Sequence, residues 1–208
     1  MIVAGLTGSI GMGKSTVAAY LRSKGIPVHD ADKIVHDLYE GEAVPLVEGV
    51  FPGTTRNGAI DRVALSKVVL GSAEALRKLE AIVHPLVRHA EWKLLLSEQD
   101  KGADLTVLEI PLLFETGAGH LFDAIIAVSA PARVQRERML QRPGMSAEKL
   151  DAILARQLPD AAKREKADFV VDTGVPLEDT HRQIDAVVTE IMKRPPLAFQ
   201  RWASLLED

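Results

Sequence analysis

The chain has 208 residues, with 25 Lys+Arg against 29 Asp+Glu, a formal net charge of -4 and a pI of about 5.9. This balance argues against a general binder of nucleic-acid backbones, and 47% hydrophobic with 26% charged residues excludes whole-chain disorder, collagen and coiled coil. The absence of cysteine excludes disulfides, Cys-ligated zinc, iron–sulfur clusters and thiol catalysis.

The N-terminal segment has neither a basic region nor a small-residue cleavage site, and no apolar run approaches the ~18 residues of a membrane span. A cytoplasmic protein is expected, with no membrane and no nucleic-acid partner. Ile2 to Leu6 is a short, partly β-branched apolar run that stops at a glycine-rich turn, as a buried parallel strand does. Lys14 to Lys24 follows with Val17, Ala18 and Leu21 at helical spacing, and Gly25 ends it. Ile26 to His29 reads as a second strand running out into Asp30-Ala31-Asp32. Strand, loop, helix and strand make a βαβ unit.

From Asp32 to Gln99 the pattern is helical, with turns at Phe51-Pro52-Gly53 and Arg56-Asn57-Gly58 and no clear strand. Ser72 suits the cap of a long helix, which His84-Pro85 is expected to interrupt. Strands resume at Leu105–Ile110, Ala124–Val128 and Phe169–Val171, with helices between them. Pro131 and Ser146 suit helix starts. The expected fold is α/β: a five-stranded parallel sheet covered on both faces, in one domain. The expected core is about 1–31, 104–132 and 159–194, with a helical insertion at about 32–103, a lid at about 133–158 and a tail at 195–208 that docks Phe199 and Trp202.

Gly8-Ser9-Ile10-Gly11-Met12-Gly13-Lys14-Ser15 matches the P-loop pattern G-x-x-x-x-G-K-[ST] and sits where it must, after a strand and before a helix. Its glycines let the backbone N–H groups turn inward around a phosphate, and the helix N-terminus points its positive end at the same place. Gly11, Met12, Gly13, Lys14, Ser15 and Thr16 are therefore the expected ATP-binding residues. Lys14 reaches the β- and γ-phosphates, and the Ser15 hydroxyl is placed to ligate Mg²⁺. No guanine-reading Asn-Lys-x-Asp element is present, which leaves small-molecule kinases of the nucleotide-kinase type.

The P-loop segment, then His29-Asp30-Ala31-Asp32, Val83-His84-Pro85, Glu109-Ile110-Pro111-Leu112-Leu113-Phe114-Glu115 and Ala167-Asp168-Phe169-Val170-Val171-Asp172, occur in an order that resembles the dephospho-CoA kinase family over nearly the whole chain. The resemblance implies transfer of the γ-phosphoryl of ATP to the ribose 3′-hydroxyl of dephospho-CoA. It gives Asp32 the role of accepting the proton of that hydroxyl; the same residue would also suit the N-cap of a helix Lys33–Tyr39. Strand alternation makes Asp30 structural. Glu109 stands where P-loop proteins usually carry an Asp near Mg²⁺, and is one methylene longer. A contact through water and a purely structural carboxylate remain open for it.

The resemblance further implies that Leu112 and Phe114 line the acceptor pocket, and that His84 and Arg88 lie near the substrate. Leu113 reads as core. Arg138 and Arg142 are four apart, as on one helix face, and Pro143-Gly144 offers a hinge, so these two are the expected lid cations. Arg133 and Arg136 read as surface, with Glu137 as a partner. The competing readings are another P-loop small-molecule kinase, of nucleoside, nucleotide, shikimate or gluconate type, and a regulatory protein that hydrolyses ATP slowly. The expected partners are ATP and dephospho-CoA, and a monomer is favoured over an oligomer.

Overall fold

A computed structural model describes residues 1–205. The chain divides into two compact units: Met1–His29 with the residues from Glu98 onward, and Asp30–Ser97.

The first unit opens with β1 (Ile2–Thr7), buried at every position, and α1 (Lys14–Ser23), which turns Val17, Ala18 and Leu21 inward. β2 (Val28–Asp30) is shorter than the apolar run suggests, and it leads into the second unit. There α2 (Ala31–Tyr39) and α3 (Ala43–Val50) precede a small antiparallel hairpin, β3 (Thr55–Arg56) and β4 (Ala59–Ile60). This hairpin corrects the strandless reading of the region: the Asn57-Gly58 turn joins two strands too short to show an alternation. α4 (Arg62–Val69) and the long α5 (Ala73–Asp100) follow. Ile34, Leu38, Val47, Phe51, Ile60, Leu65, Leu79 and Val83 form this unit's own core.

α5 runs without interruption through Pro85, against the expected break. A proline inside a helix removes one hydrogen bond and crowds the preceding turn, at about 3 kcal/mol. Burial of Leu79 and Val83 in the core just before it offsets that cost, at roughly 2 kcal/mol per buried side chain. The Ser72 cap is present: its hydroxyl accepts from the Ala75 N–H at 3.2 Å.

Back in the first unit come β5 (Leu105–Glu109), a 3-10 turn (Ala118–Leu121), β6 (Ala124–Ser129), α6 (Ala132–Leu140), α7 (Ala147–Leu154), α8 (Asp160–Lys166), β7 (Phe169–Asp172), α9 (Leu177–Ile191) and α10 (Ala198–Ser204). The five long-range strands form one sheet in the order β2-β5-β1-β6-β7, and β1 pairs in parallel with both β5 and β6. Leu6, Val107, Ile126 and Val128 are buried in it, as a sheet covered on both faces requires. Trp202 is buried on α10 and meets Phe122 edge to face, so this residue of the tail docks as expected. Residues 206–208 of that tail lie outside the described residues. No helix among the described residues is long and apolar enough to cross a membrane.

Candidate active site

The loop between β1 and α1 sits at the C-terminal edge of the sheet, where ligands of open α/β folds bind. Gly13 caps α1 at φ 88°, a left-handed conformation that only glycine adopts without strain. A Cβ there would also come within 2.9 Å of the Thr173 hydroxyl. Lys14 folds back over the loop, its Nζ donating to the Gly8 carbonyl at 2.7 Å. Ser15 and Thr16 are exposed in the first turn of α1. The strand register sets Glu109, at the end of β5, opposite Leu6, one residue before Thr7 leads into the loop. Glycine loop, lysine and helix start thus lie together at the end of β1, in the order the motif predicts.

Two expected lid residues part company. α6 ends at Leu140, so Arg142 lies in the turn beyond it and does not share a helix face with Arg138. Pro143-Gly144 follows directly, and with no helical continuation the four-residue spacing loses its meaning. Arg142 is exposed, whereas Arg138 is half-buried and bonds Thr173. Arg133 pairs with Glu137 and Arg136 with Asp151, both on the surface as read.

The loop from Pro111 to Glu115 is held from behind. Lys163 is fully buried on α8, and its Nζ donates to the Pro111 carbonyl at 2.9 Å and to Glu115 Oε2 at 3.1 Å, with Glu115 Oε1 2.8 Å away in the same ion pair. The Leu158 N–H also donates to Glu115 at 2.8 Å. Burial alone would raise the Glu115 carboxyl, but the bonds from Lys163 and Leu158 outweigh it and hold it below its usual value. Leu113 is buried, as read, while Leu112 is exposed and Phe114 half-buried.

Asp32, His84 and Arg88 belong to the second unit. α2 starts at Ala31, earlier than the sequence suggests, so Asp30 is its N-cap and accepts from the Asp32 N–H at 2.8 Å. The capping role considered for Asp32 therefore falls to Asp30. Asp32 occupies the first turn of α2 and is exposed. His84 and Arg88 are exposed on one face of α5, one turn apart. Glu91, three residues further on that face, is 4% exposed, and burial pushes its carboxyl up to about 7 against the pull of Arg88.

Sequence reasoning did not single out Glu91, Lys163, Thr173, Gln135 or Gln157. Only Glu91 left a trace, as a carboxylate spaced with Arg88. The others gain meaning from partners far along the chain.

The sheet order and the glycine loop between β1 and α1 define a P-loop kinase of the α/β class. The family model for dephospho-CoA kinase matches residues 1–179. A dephospho-CoA kinase of Brucella melitensis is 52% identical over 198 residues, 95% of this chain and 99% of that protein. Among solved structures, a Thermus thermophilus protein of 40% identity superposes with a TM-score of 0.80, covering 91% of this chain and 97% of that one. The dephospho-CoA kinase of Campylobacter jejuni, 28% identical, has a TM-score of 0.61 and covers 92% and 97%. The chain belongs to the dephospho-CoA kinase family, which is a family of ATP-dependent kinases.

Proposed function

We propose that this protein transfers the γ-phosphoryl group of ATP to the ribose 3′-hydroxyl of dephospho-CoA, giving coenzyme A and ADP. Family membership over most of the chain, together with the folded P-loop, carries this reading. The 3′-oxygen forms a bond to the γ-phosphorus as the bond to the β–γ bridging oxygen breaks. ADP leaves with that electron pair, and the hydroxyl proton goes to Asp32. Lys14 holds the β/γ oxygens through the charge transfer, and Arg142 adds a cation from its exposed turn. Arg138 supports the nucleotide side from its seat on Thr173.

His84, Arg88, Leu112 and Phe114 are the proposed acceptor contacts, the cation for phosphates and the apolar pair for the rest of dephospho-CoA. Mg²⁺ suits the hard-oxygen donors present: Ser15 would hold it directly and Glu109 through water, with phosphates completing the shell. When bound, it neutralises charge on the phosphates. The core at about 1–31, 104–132 and 159–194, the insertion at about 32–103 and the lid at about 133–158 are proposed as the working parts of one cytoplasmic enzyme, a monomer.

The test is an acceptor screen following ADP release with dephospho-CoA, AMP, adenosine, shikimate and gluconate, with phosphorus NMR of the product. A single 3′-phosphorylated product from dephospho-CoA is expected. Adenosine should be poor, because it lacks the pantetheine and diphosphate contacts that position the hydroxyl. Equal turnover of adenosine, or a 5′-phosphorylated product, would move the protein to a nucleoside-kinase reading.

A further inference from the structure

Ile10 is the third residue of the P-loop, and glutamine side chains from outside the loop take both polar groups of its backbone. Gln157 Oε1 accepts from the Ile10 N–H at 3.2 Å. Gln135 Nε2 donates to the Ile10 carbonyl at 2.7 Å. Gln135 is 6% exposed on α6, and Gln157 is half-buried in the turn after α7. In sequence they flank the stretch that carries Arg138, Arg142 and α7.

Two further contacts show how closely this stretch and the loop are joined. A Cβ on Gly11 would come within 2.7 Å of Met139 Cγ and 3.3 Å of Gln135 Cγ, so α6 lies directly on the loop backbone. Thr173, which Arg138 grips, donates its hydroxyl to the Met12 carbonyl at 2.7 Å. The loop cannot change its turn at Ile10 without breaking a bond to one end of the stretch or the other.

We propose that Gln135 and Gln157 are positioning residues for the phosphoryl donor. They clamp the two peptide units on either side of Ile10, hold the loop in its phosphate-binding turn, and tie both ends of the arginine-bearing stretch to it. The proposal rests on the reading that the P-loop holds ATP.

The backbone fixes the polarity of each bond. An N–H only donates, so Gln157 must present its oxygen; a carbonyl only accepts, so Gln135 must present its nitrogen. One substitution therefore has opposite consequences at the two sites. Gln157→Glu keeps an acceptor. Gln135→Glu sets a carboxylate against a carbonyl oxygen and leaves that carbonyl without its donor. Both add one negative charge beside the same residue, so their general repulsion of ATP is matched and the difference between them reads the hydrogen bond.

The experiment is initial-rate kinetics with ATP and dephospho-CoA each varied, alongside thermal unfolding. Gln135→Glu should raise KM for ATP about tenfold more than Gln157→Glu does, the size of effect expected for one unsatisfied buried polar group. KM for dephospho-CoA should stay within about twofold in both. The reciprocal pair needs neither Glu variant to fold. Gln135→Lys keeps a donor and should be tolerated, whereas Gln157→Lys sets donor against donor and should raise KM for ATP despite its helpful charge. Equal effects at the two positions in both pairs would overturn the clamp, as would losses shared by both substrates in step with lowered Tm. Lys14→Ala separates the underlying reading: retained activity there removes the P-loop from the mechanism, while an inactive Lys14→Ala with equal glutamine variants removes the clamp alone.

Discussion

Arg138 grips Thr173 at two points: Nη1 donates to the Thr173 hydroxyl at 3.1 Å and Nη2 to its carbonyl at 2.7 Å. The same hydroxyl donates to the Met12 carbonyl, so the arginine is anchored to the P-loop through one shared residue. Arg142, four residues on, has left the helix and stands exposed. Two arginines that look equivalent in sequence thus hold different offices, one fixed and one in a turn next to Pro143-Gly144.

That difference is measurable. Arg142→Ala should lower kcat with little change in Tm, and Arg142→Lys should rescue only part of it, since a point charge does not reproduce the guanidinium fork. Arg138→Ala should lower both ATP affinity and Tm. Arg133→Ala should be nearly silent, because its pair with Glu137 is exposed. Equal kinetic losses for Arg133→Ala and Arg142→Ala would reduce the arginines to a general electrostatic contribution.

Asp32→Asn keeps the side-chain shape and removes the base. Turnover should fall by roughly 10²–10⁴ with ATP affinity little changed. Since Asp30 and not Asp32 caps α2, the variant should unfold within a degree or two of the parent. Collapse of ATP binding with surviving turnover would make Asp32 a metal or structural group instead.

Lys163→Met should destabilise the protein by about 3 kcal/mol, because it leaves the Glu115 carboxylate without its cation. Replacing both partners, with Lys163→Met and Glu115→Gln together, should cost much less. The Glu115 carboxyl lies below its ordinary value of 4.5 in the folded state. Its stabilising contribution is therefore present above about that pH and lost as pH falls through the folded value. Urea titrations between pH 3 and 7 should show that loss in the parent and not in the double variant.

Glu91 has the opposite sign. Its folded-state value of about 7 lies above the ordinary 4.5, so between those limits the folded chain binds the proton more tightly than the unfolded chain. Stability should fall as pH rises across that window, by up to about 3 kcal/mol. Glu91→Gln should remove the fall, leaving Tm little changed at pH 4.5 and raised at pH 8. A Gln variant with the parent's pH profile would show that Glu91 ionises freely.

The sequence by itself determined the parallel sheet, the P-loop and the family, because each is written in contiguous residues. A buried strand shows as an unbroken apolar run, and a phosphate loop needs glycines and a lysine at set spacing. Even there, local pattern misplaced what packing controls: α5 passes through Pro85, the cap of α2 falls on Asp30, and α6 stops short of Arg142. The supports of the site were decided only by the tertiary structure. Ile10 meets Gln135 across 125 residues and Gln157 across 147, Met12 meets Thr173 across 161, and Lys163 meets Glu115 across 48. A glutamine or a lysine carries no mark of its partner in its own neighbourhood. Its bond exists because the fold brings a distant polar group within reach, and where the pair is buried an unpaired polar atom would be costly.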